Sequence, residues 1–301
     1  MYRFWLPTLA AFSLYGGTLC AQDSTPPMSE PAPAAEAPVV PQFPPEAHPW
    51  GRFPVGSWKT VRLTTEALDA QGRVVSTSVA ETKSTLIQAD DLEYQLKIET
   101  TADFGGRRLT YPAQVNSHSY WGELNKPLNS AQKVPAAEIE LNGKKVACEV
   151  RQAVVEQGME RRQSIVHYTP GQFPYVLKRE TTVTPLPAAP EGTPPSTTTV
   201  EVIAANLPQR VLGVLRSVAF VRTIHENGKG SSTTMEIHSA DIPGGVVSHS
   251  AEERDAAGIV IRRTTLELLE YGIGTEPEEQ ASPHRRRYFR KQQRREERRE
   301  R

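Results

Sequence analysis

Hydrophobic and polar residues alternate over most of the middle of this chain. Trp58-Lys-Thr-Val-Arg-Leu-Thr-Thr65 sets the pattern, with Thr, Val, Ile and Leu frequent from Trp50 to about Gly274. A period of two puts alternate side chains on opposite faces of a strand, and β-branched residues suit that pleated surface. The turns between the strands are also readable. Leu68-Asp-Ala-Gln-Gly-Arg73 should join a first strand to a second over 74–87. Asn142-Gly143 is a favoured hairpin dipeptide, because both central residues of that turn need positive φ. Asn227-Gly228 repeats the signal, and Asp255-Ala-Ala-Gly258 should close a turn between 246–253 and 259–270. A run of hairpins predicts a mainly β domain over 50–274: a curved antiparallel sheet, half-barrel or sandwich. No alternation of strand and helix patterns is present, which argues against a parallel α/β enzyme fold.

Two further features organise this region. The stretch Pro185-Leu-Pro-Ala-Ala-Pro-Glu-Gly-Thr-Pro-Pro195 cannot pair inside a sheet and predicts a surface loop over 185–195. The residues around it echo one another. Ile165-Val-His-Tyr-Thr-Pro-Gly-Gln-Phe-Pro-Tyr-Val-Leu177 and Glu236-Ile-His-Ser-Ala-Asp-Ile-Pro-Gly-Gly-Val-Val247 each run from an apolar residue and a His through a turn to a Pro and a strand. Gly158 and Gly228 precede His167 and His238 at similar distances. The echo raises an internal duplication of two similar units, with His167 and His238 in equivalent places.

Both ends differ in composition. Residues 1–21 combine Arg3, an apolar stretch over 4–15 and small residues up to Ala21, the anatomy of a signal peptide. The stretch is shorter than the roughly 20 apolar residues of a spanning helix, and Pro7, Gly16 and Gly17 interrupt it. It reads as cleaved near Ala21, giving an exported (periplasmic or secreted) chain; retention as an anchor is the alternative. Cys20 invites a lipid attachment, but bulky Leu19 directly before it fits that box poorly. Residues 22–49 are rich in Pro and Ala and predict a disordered linker. Removal of the leader would take Cys20 with it and leave Cys148 as the one cysteine. Cys148 lies between Val146 and Val150 on one strand face, as a small buried hydrophobe would.

The formal net charge is zero, from 35 basic and 35 acidic residues. That balance hides an asymmetry. Residues 285–301 hold ten Lys or Arg and three Glu, a net of +7, so residues 1–284 carry −7 (25 basic against 32 acidic). Arg285, Arg286, Arg287, Arg290, Lys291, Arg294 and Arg295 of the 275–301 tail are therefore the candidate contacts for an anionic partner. An anionic membrane surface and an acidic envelope polymer fit an exported chain, whereas nucleic acid does not.

Candidate chemistry is sparse. His225-Glu226 does not continue into a zinc-binding His-Glu-x-x-His, and His238 and His249 have no local cysteine or carboxylate cluster. Ser248 and His249 are neighbours on a strand and point to opposite faces. Asp103-Phe-Gly105 lacks the glycine loop and catalytic loop of a kinase and reads as a turn. Asp90, Asp91, Glu138, Glu140, Glu252 and Glu253 read as solvated turn and edge residues. A hydrolase would need carboxylates gathered from distant strands. No catalytic, cofactor-binding or metal residue is assigned.

The segment from Asp241-Ile-Pro-Gly-Gly-Val-Val247 through Thr264-Thr-Leu-Glu-Leu-Leu-Glu-Tyr-Gly272 resembles a class of uncharacterised exported bacterial β proteins. In these a Pro-Gly-Gly strand opening precedes a final strand ending in Glu-x-x-x-Tyr-Gly. The wider pattern is similar to the lipoprotein-carrier half-barrels, in which a curved antiparallel sheet holds an apolar ligand. That resemblance implies a cavity for a lipid or other apolar molecule, although the helices that plug such half-barrels are not evident. The residues themselves favour a non-enzymatic domain that binds or scaffolds at the cell envelope. An apolar carrier is the alternative, and a hydrolase with dispersed carboxylates is a third.

Overall fold

A computed structural model describes residues 43–120, 130–190 and 192–274. Strands β1 (Trp58–Leu68), β2 (Val74–Ala89) and β3 (Glu93–Phe104) form a first meander. Strands β4 (Arg107–Thr110) and β5 (Gln114–Ser119) both pair with the outer side of β3. The chain resumes with β6 (Ser130–Leu141), β7 (Lys144–Gln157), β8 (Glu160–Tyr168) and β9 (Val176–Pro185). Beyond the proline-rich stretch come β10 (Ser196–Val211), β11 (Val214–Asn227), β12 (Gly230–Ser239), β13 (Val246–Asp255) and β14 (Val260–Gly272).

All 14 strands belong to one curved antiparallel sheet that does not close into a barrel. From one edge to the other the order is β4-β3-β2-β1-β14-β13-β12-β11-β10-β9-β8-β7-β6. Among the described residues, sequence neighbours pair almost everywhere, and the one long-range pairing, β1 with β14, joins the two arms of the meander. The expected turns use their side chains as predicted by their chemistry. Asp69 accepts N–H bonds from Gln71 and Arg73 at 3.0 and 2.9 Å, and Asp255 accepts from Ala257 and Ile259 at 2.9 and 3.0 Å. Asn142 and Gly143 have φ of 52° and 71°, as their hairpin requires. The Asn227-Gly228 turn differs. Asn227 pairs with Gly230, so the loop residues are Gly228 and Lys229, and the Asn227 carboxamide accepts the Lys229 N–H at 2.8 Å.

Strands β6–β9 and β10–β13 share a layout 70 positions apart. Strands β7 and β11 each have 14 residues, and β9 and β13 each have 10. Bulges at Val134/Ala137 and at Ala204/Leu207 bend each first hairpin. The turns 169–175 and 239–245 share three backbone bonds, and the second adds Ile242 N–H to Ser239 O at 3.4 Å. Thr169 N–H donates to Tyr175 O and Ser239 N–H to Gly245 O, both at 2.8 Å. Tyr175 and Gly245 both sit at positive φ, 69° and 73°. This register corrects the histidine equivalence. Tyr168 pairs with Val176 and His238 with Val246, so His238 matches Tyr168. His167 lies one residue earlier and therefore on the opposite sheet face, beside Val150 and Lys178.

The chain before β1 fills the concave face of the sheet. A short 3-10 turn (Pro45–Ala47) begins it, and no helix among the described residues is long and apolar enough to cross a membrane. Phe43 packs on Ala153, Val166 and Tyr168 from β7 and β8. Trp50 and Phe53 pack on Leu86, Tyr94, Leu96 and Tyr120 at the other arm. The segment thus bridges strands far apart in the sheet. Both equivalent turns hold it: Gly244 N–H donates to Pro49 O at 3.0 Å, and Arg52 donates to the Tyr175 hydroxyl at 3.5 Å. Two glycines permit the fit. A Cβ on Gly51 would stand 2.5 Å from the Pro45 carbonyl oxygen, and one on Gly244 2.6 Å from the Trp50 indole nitrogen.

The linker expected over 22–49 is therefore too long at its end, since Phe43 and Ala47 are core residues at 3% and 8% exposure. The Pro-rich composition concealed two apolar anchors. The leader 1–21, the rest of that linker and the tail 275–301 lie outside the described residues.

Truncating Phe43→Ala should lower unfolding free energy by about 3–5 kcal/mol, as for other buried aromatics. Urea denaturation measures it; a loss below about 1 kcal/mol would return residues 43–49 to the linker.

Candidate functional site

The alternation along β12 and β13 brings Glu236, His238 and His249 to the concave face. Glu236 and His249 are direct cross-strand partners. The His238 ring nitrogen lies 2.7 Å from a Glu236 carboxylate oxygen, and the His249 ring 3.9 Å from the other. Lys59 enters from β1, donates to Val246 O at 3.2 Å and stands 5.8 Å from the centre of the Trp50 ring. Burial raises the Glu236 carboxyl, but the His238 hydrogen bond and the charges of His238, His249 and Lys59 outweigh it and hold it below its usual range. Burial pulls Lys59 down to about 8, against the opposing effect of Glu236. It also lowers His249, again opposed by Glu236.

A carboxylate and histidine in contact are the parts of a general acid–base pair. Here they lie under the N-terminal segment, with Gly245 closing against His238. Glu236 is the single carboxylate of the group. The group ties β1, β12 and β13 together beneath Trp50. Among the described residues, no three or more of His, Cys, Asp and Glu converge to hold a metal ion. Ser248 pairs with Ile237 and Glu267 while His249 faces Glu236, so the two neighbours diverge. Cys148 is 2% exposed in a cluster with Leu141, Leu177 and Val202, and burial raises its thiol. Asp103 accepts the Gly106 N–H at 3.0 Å within its turn.

A second histidine has its proton placement set by packing. The Trp50 N–H donates to His48 Nδ1 at 3.2 Å, so that nitrogen carries no proton. The ring lies against Tyr94 and Tyr120, with centroids 4.8 and 5.4 Å away. Burial, with Arg179 and His118 nearby, lowers the His48 pKa to about 3.

An accessible cleft of about 550 Å³ lies between the N-terminal segment and the end of β14. The N-terminal segment forms one wall through Arg52, Phe53 and Pro54. The other comes from Arg216, Asp241, Tyr271 and Ile273. Arg216 donates to Asp241 at 2.8 Å and to the Tyr271 hydroxyl at 2.5 Å, and its guanidinium lies 5.6 Å from the Tyr271 ring centre. Arg52 is exposed and lies about 6 Å from each of the Phe53, Phe173 and Tyr175 rings. No carboxylate among the described residues pairs with it. The cleft thus presents one neutralised and one uncompensated guanidinium on aromatic walls.

Sequence reasoning missed the cleft because Arg52, Arg216 and Tyr271 are far apart in the chain. It missed the buried group because Lys59 comes from a distant strand, although Glu236 and His238, two residues apart on β12, share a face and were a readable signal. The basic residues it selected, Arg285, Arg286, Arg287, Arg290, Lys291, Arg294 and Arg295, lie outside the described residues. An apolar ligand in the half-barrel would have to take the place of Phe43, Trp50 and Phe53.

The folded state keeps His48 neutral, whereas the unfolded chain protonates it near 6.5. Its contribution is complete above that pH and lost as pH falls from about 6.5 toward about 3. The variant His48→Gln should flatten the fall of the urea midpoint between pH 6.5 and 4. An unchanged acid limb would remove His48 as a cause.

No family model matches the chain, and no curated protein matches it by sequence. Among solved structures it is similar to a Bacteroides fragilis protein assigned as exported, with a YmcC-like fold. That pair shares 10% identity at a TM-score of 0.27, covering 72% of this chain and 99% of the other. It is also similar to a Parabacteroides distasonis protein assigned as a lipoprotein, with 10% identity, a TM-score of 0.32 and coverage of 73% and 97%.

Proposed function

We propose that this chain is an exported, non-enzymatic binding domain of the cell envelope that receives an acidic polymer in the Arg52–Arg216 cleft. The observation that carries this reading is the uncompensated guanidinium of Arg52, held among three aromatic rings in an open cleft. A planar guanidinium on an aromatic wall suits a carboxylate carried on a sugar ring: two N–H donors meet the carboxylate while the ring face covers the sugar. Half-buried Tyr271 lines the cleft, and half-buried Phe173 and Tyr175 stand beside Arg52.

Export is supported by the leader anatomy of residues 1–21. A binding rather than catalytic role is supported by the withdrawal of Glu236, His238 and Lys59 beneath the N-terminal segment, where His238 bonds Glu236 and Lys59 bonds Val246 O while His238 Nδ1 is buried without a partner. A uronate polymer of an envelope or capsule has the matching chemistry.

Calorimetric titration with a tetragalacturonate probe tests the cleft. Arg52→Gln should weaken binding by about tenfold, the effect of one charge-assisted hydrogen bond. Equal affinity in the variant, or no binding by the wild-type protein, would exclude the cleft as an acidic-sugar site.

A further inference from the structure

The two equivalent hairpins provide a comparison inside one molecule. Leu141-Asn-Gly-Lys-Lys145 forms the tip between β6 and β7, and Val211-Leu-Gly-Val-Leu215 the tip between β10 and β11. Each tip buries its first residue, Leu141 at 4% and Val211 at 3% exposure. Each has a two-residue turn with both φ positive. The solvent-facing positions then differ in kind. Where the first tip has Asn142, Lys144 and Lys145, the second has Leu212, Val214 and Leu215, exposed by 48, 53 and 67%.

Folding does not explain that choice. The first tip shows that Asn and two Lys satisfy the same geometry. Asn142 also bonds the Ala205 backbone at 2.7 and 3.2 Å. Leu212 has φ 47°, a left-handed conformation that disfavours a Leu by about 1 kcal/mol and that Asn tolerates. The chain therefore holds three large apolar groups in water and places one of them in an unfavourable backbone region.

The surroundings indicate what covers them. Leu212 lines a groove with Val247 and Leu268, while Val214 and Leu215 are more exposed, at 53 and 67%. Arg210 is anchored beside it through a bond to Gly213 O at 2.8 Å. Next to Leu215, Arg216 reaches the cleft that Arg52 and the half-exposed Ile273 also line. Among the described residues, the acids toward this end include Asp241, which Arg216 neutralises, Glu270, which accepts from Thr60, and Glu267, in the groove beside the tip; Glu276, Glu278 and Glu279 follow in the sequence. The last sheet residue, Gly272, belongs to the same end. Ten residues separate Gly274 from Arg285 in the sequence, a contour length of up to about 35 Å, and residues 285–301 carry a net +7. An apolar tip flanked by Arg210, in a chain that also carries a polybasic segment, has the two signals that hold a peripheral protein on an anionic membrane.

We infer that the β10–β11 hairpin tip is a membrane-docking element, inserting Leu212, Val214 and Leu215 into the interface of an anionic bilayer while Arg210 meets its headgroups. This goes beyond the acidic-polymer cleft and stands independently, since Arg52→Gln leaves the tip intact.

The test exchanges the tip for its equivalent, Leu212→Asn/Val214→Lys/Leu215→Lys in the full chain. Flotation with phosphatidylcholine vesicles, with and without phosphatidylglycerol, reads the binding. Wild-type protein should float with the anionic vesicles, and the triple variant should bind at least about tenfold more weakly despite two added cations. Its thermal midpoint should equal or exceed that of the wild type. Unchanged or tighter binding by the variant would mean attraction by charge alone and would overturn insertion. Absence of wild-type flotation would do the same, as would dimerisation of wild-type but not variant protein in sedimentation without lipid.

Discussion

The packing of residues 43–57 across the concave face is the constraint on which the rest of the structure depends. A curved open sheet has an inner surface too wide for its own side chains to fill. Here that surface is covered by Phe43 at one arm and by Trp50 and Phe53 at the other. Burial of each aromatic contributes about 1.5–3 kcal/mol. The same contacts couple arms that meet in the sheet only through β1 and β14. Gly51 and Gly244 are needed where the segment passes closest to Pro45, Tyr120 and Trp50.

That packing also sets the electrostatics. The segment withdraws His48, Lys59 and the Glu236 group from water, so each group's charge is decided by its neighbours. Glu236 stays ionised because two histidines and a lysine face it. His48 stays neutral because burial, with Arg179 and His118 nearby, disfavours its charged form, and its Nδ1 accepts the Trp50 backbone N–H. Polar chemistry on the concave side is thereby spent on holding strands and segment together. What remains open to a partner is the cleft between Arg52 of the segment and the end of β14.

The repeated layout of β6–β9 and β10–β13 gives each position a counterpart under similar backbone constraints. Where counterparts agree, as in the turns 169–175 and 239–245, the shared hydrogen bonds account for both. Where they disagree in polarity, as at the two hairpin tips, the backbone cannot be the reason. Leu212-Gly213 was overlooked as a turn because Leu is a poor turn residue. Its position 70 residues after Asn142-Gly143 was the signal that could have revealed it.

By itself the sequence determined the class of fold and most of its turns. Period-two alternation and the Asp, Asn and Gly turn residues act locally, and local backbone preference largely fixes a meander of hairpins. It marked Cys148 as a strand residue between valines and set His249 apart from Ser248. It misjudged residues 43–49, because Phe43 and Ala47 carry no periodic pattern among the prolines. It paired His167 with His238 one residue out of register, which in a strand exchanges the two faces. Tertiary structure alone decided which faces turn inward and what covers them. It also decided that Lys59, Glu236 and His249 meet, and that Arg52 and Arg216 share a cleft. Those outcomes depend on sheet curvature and on the β1–β14 pairing, which joins residues some 200 positions apart, a separation that no local preference in the chain encodes.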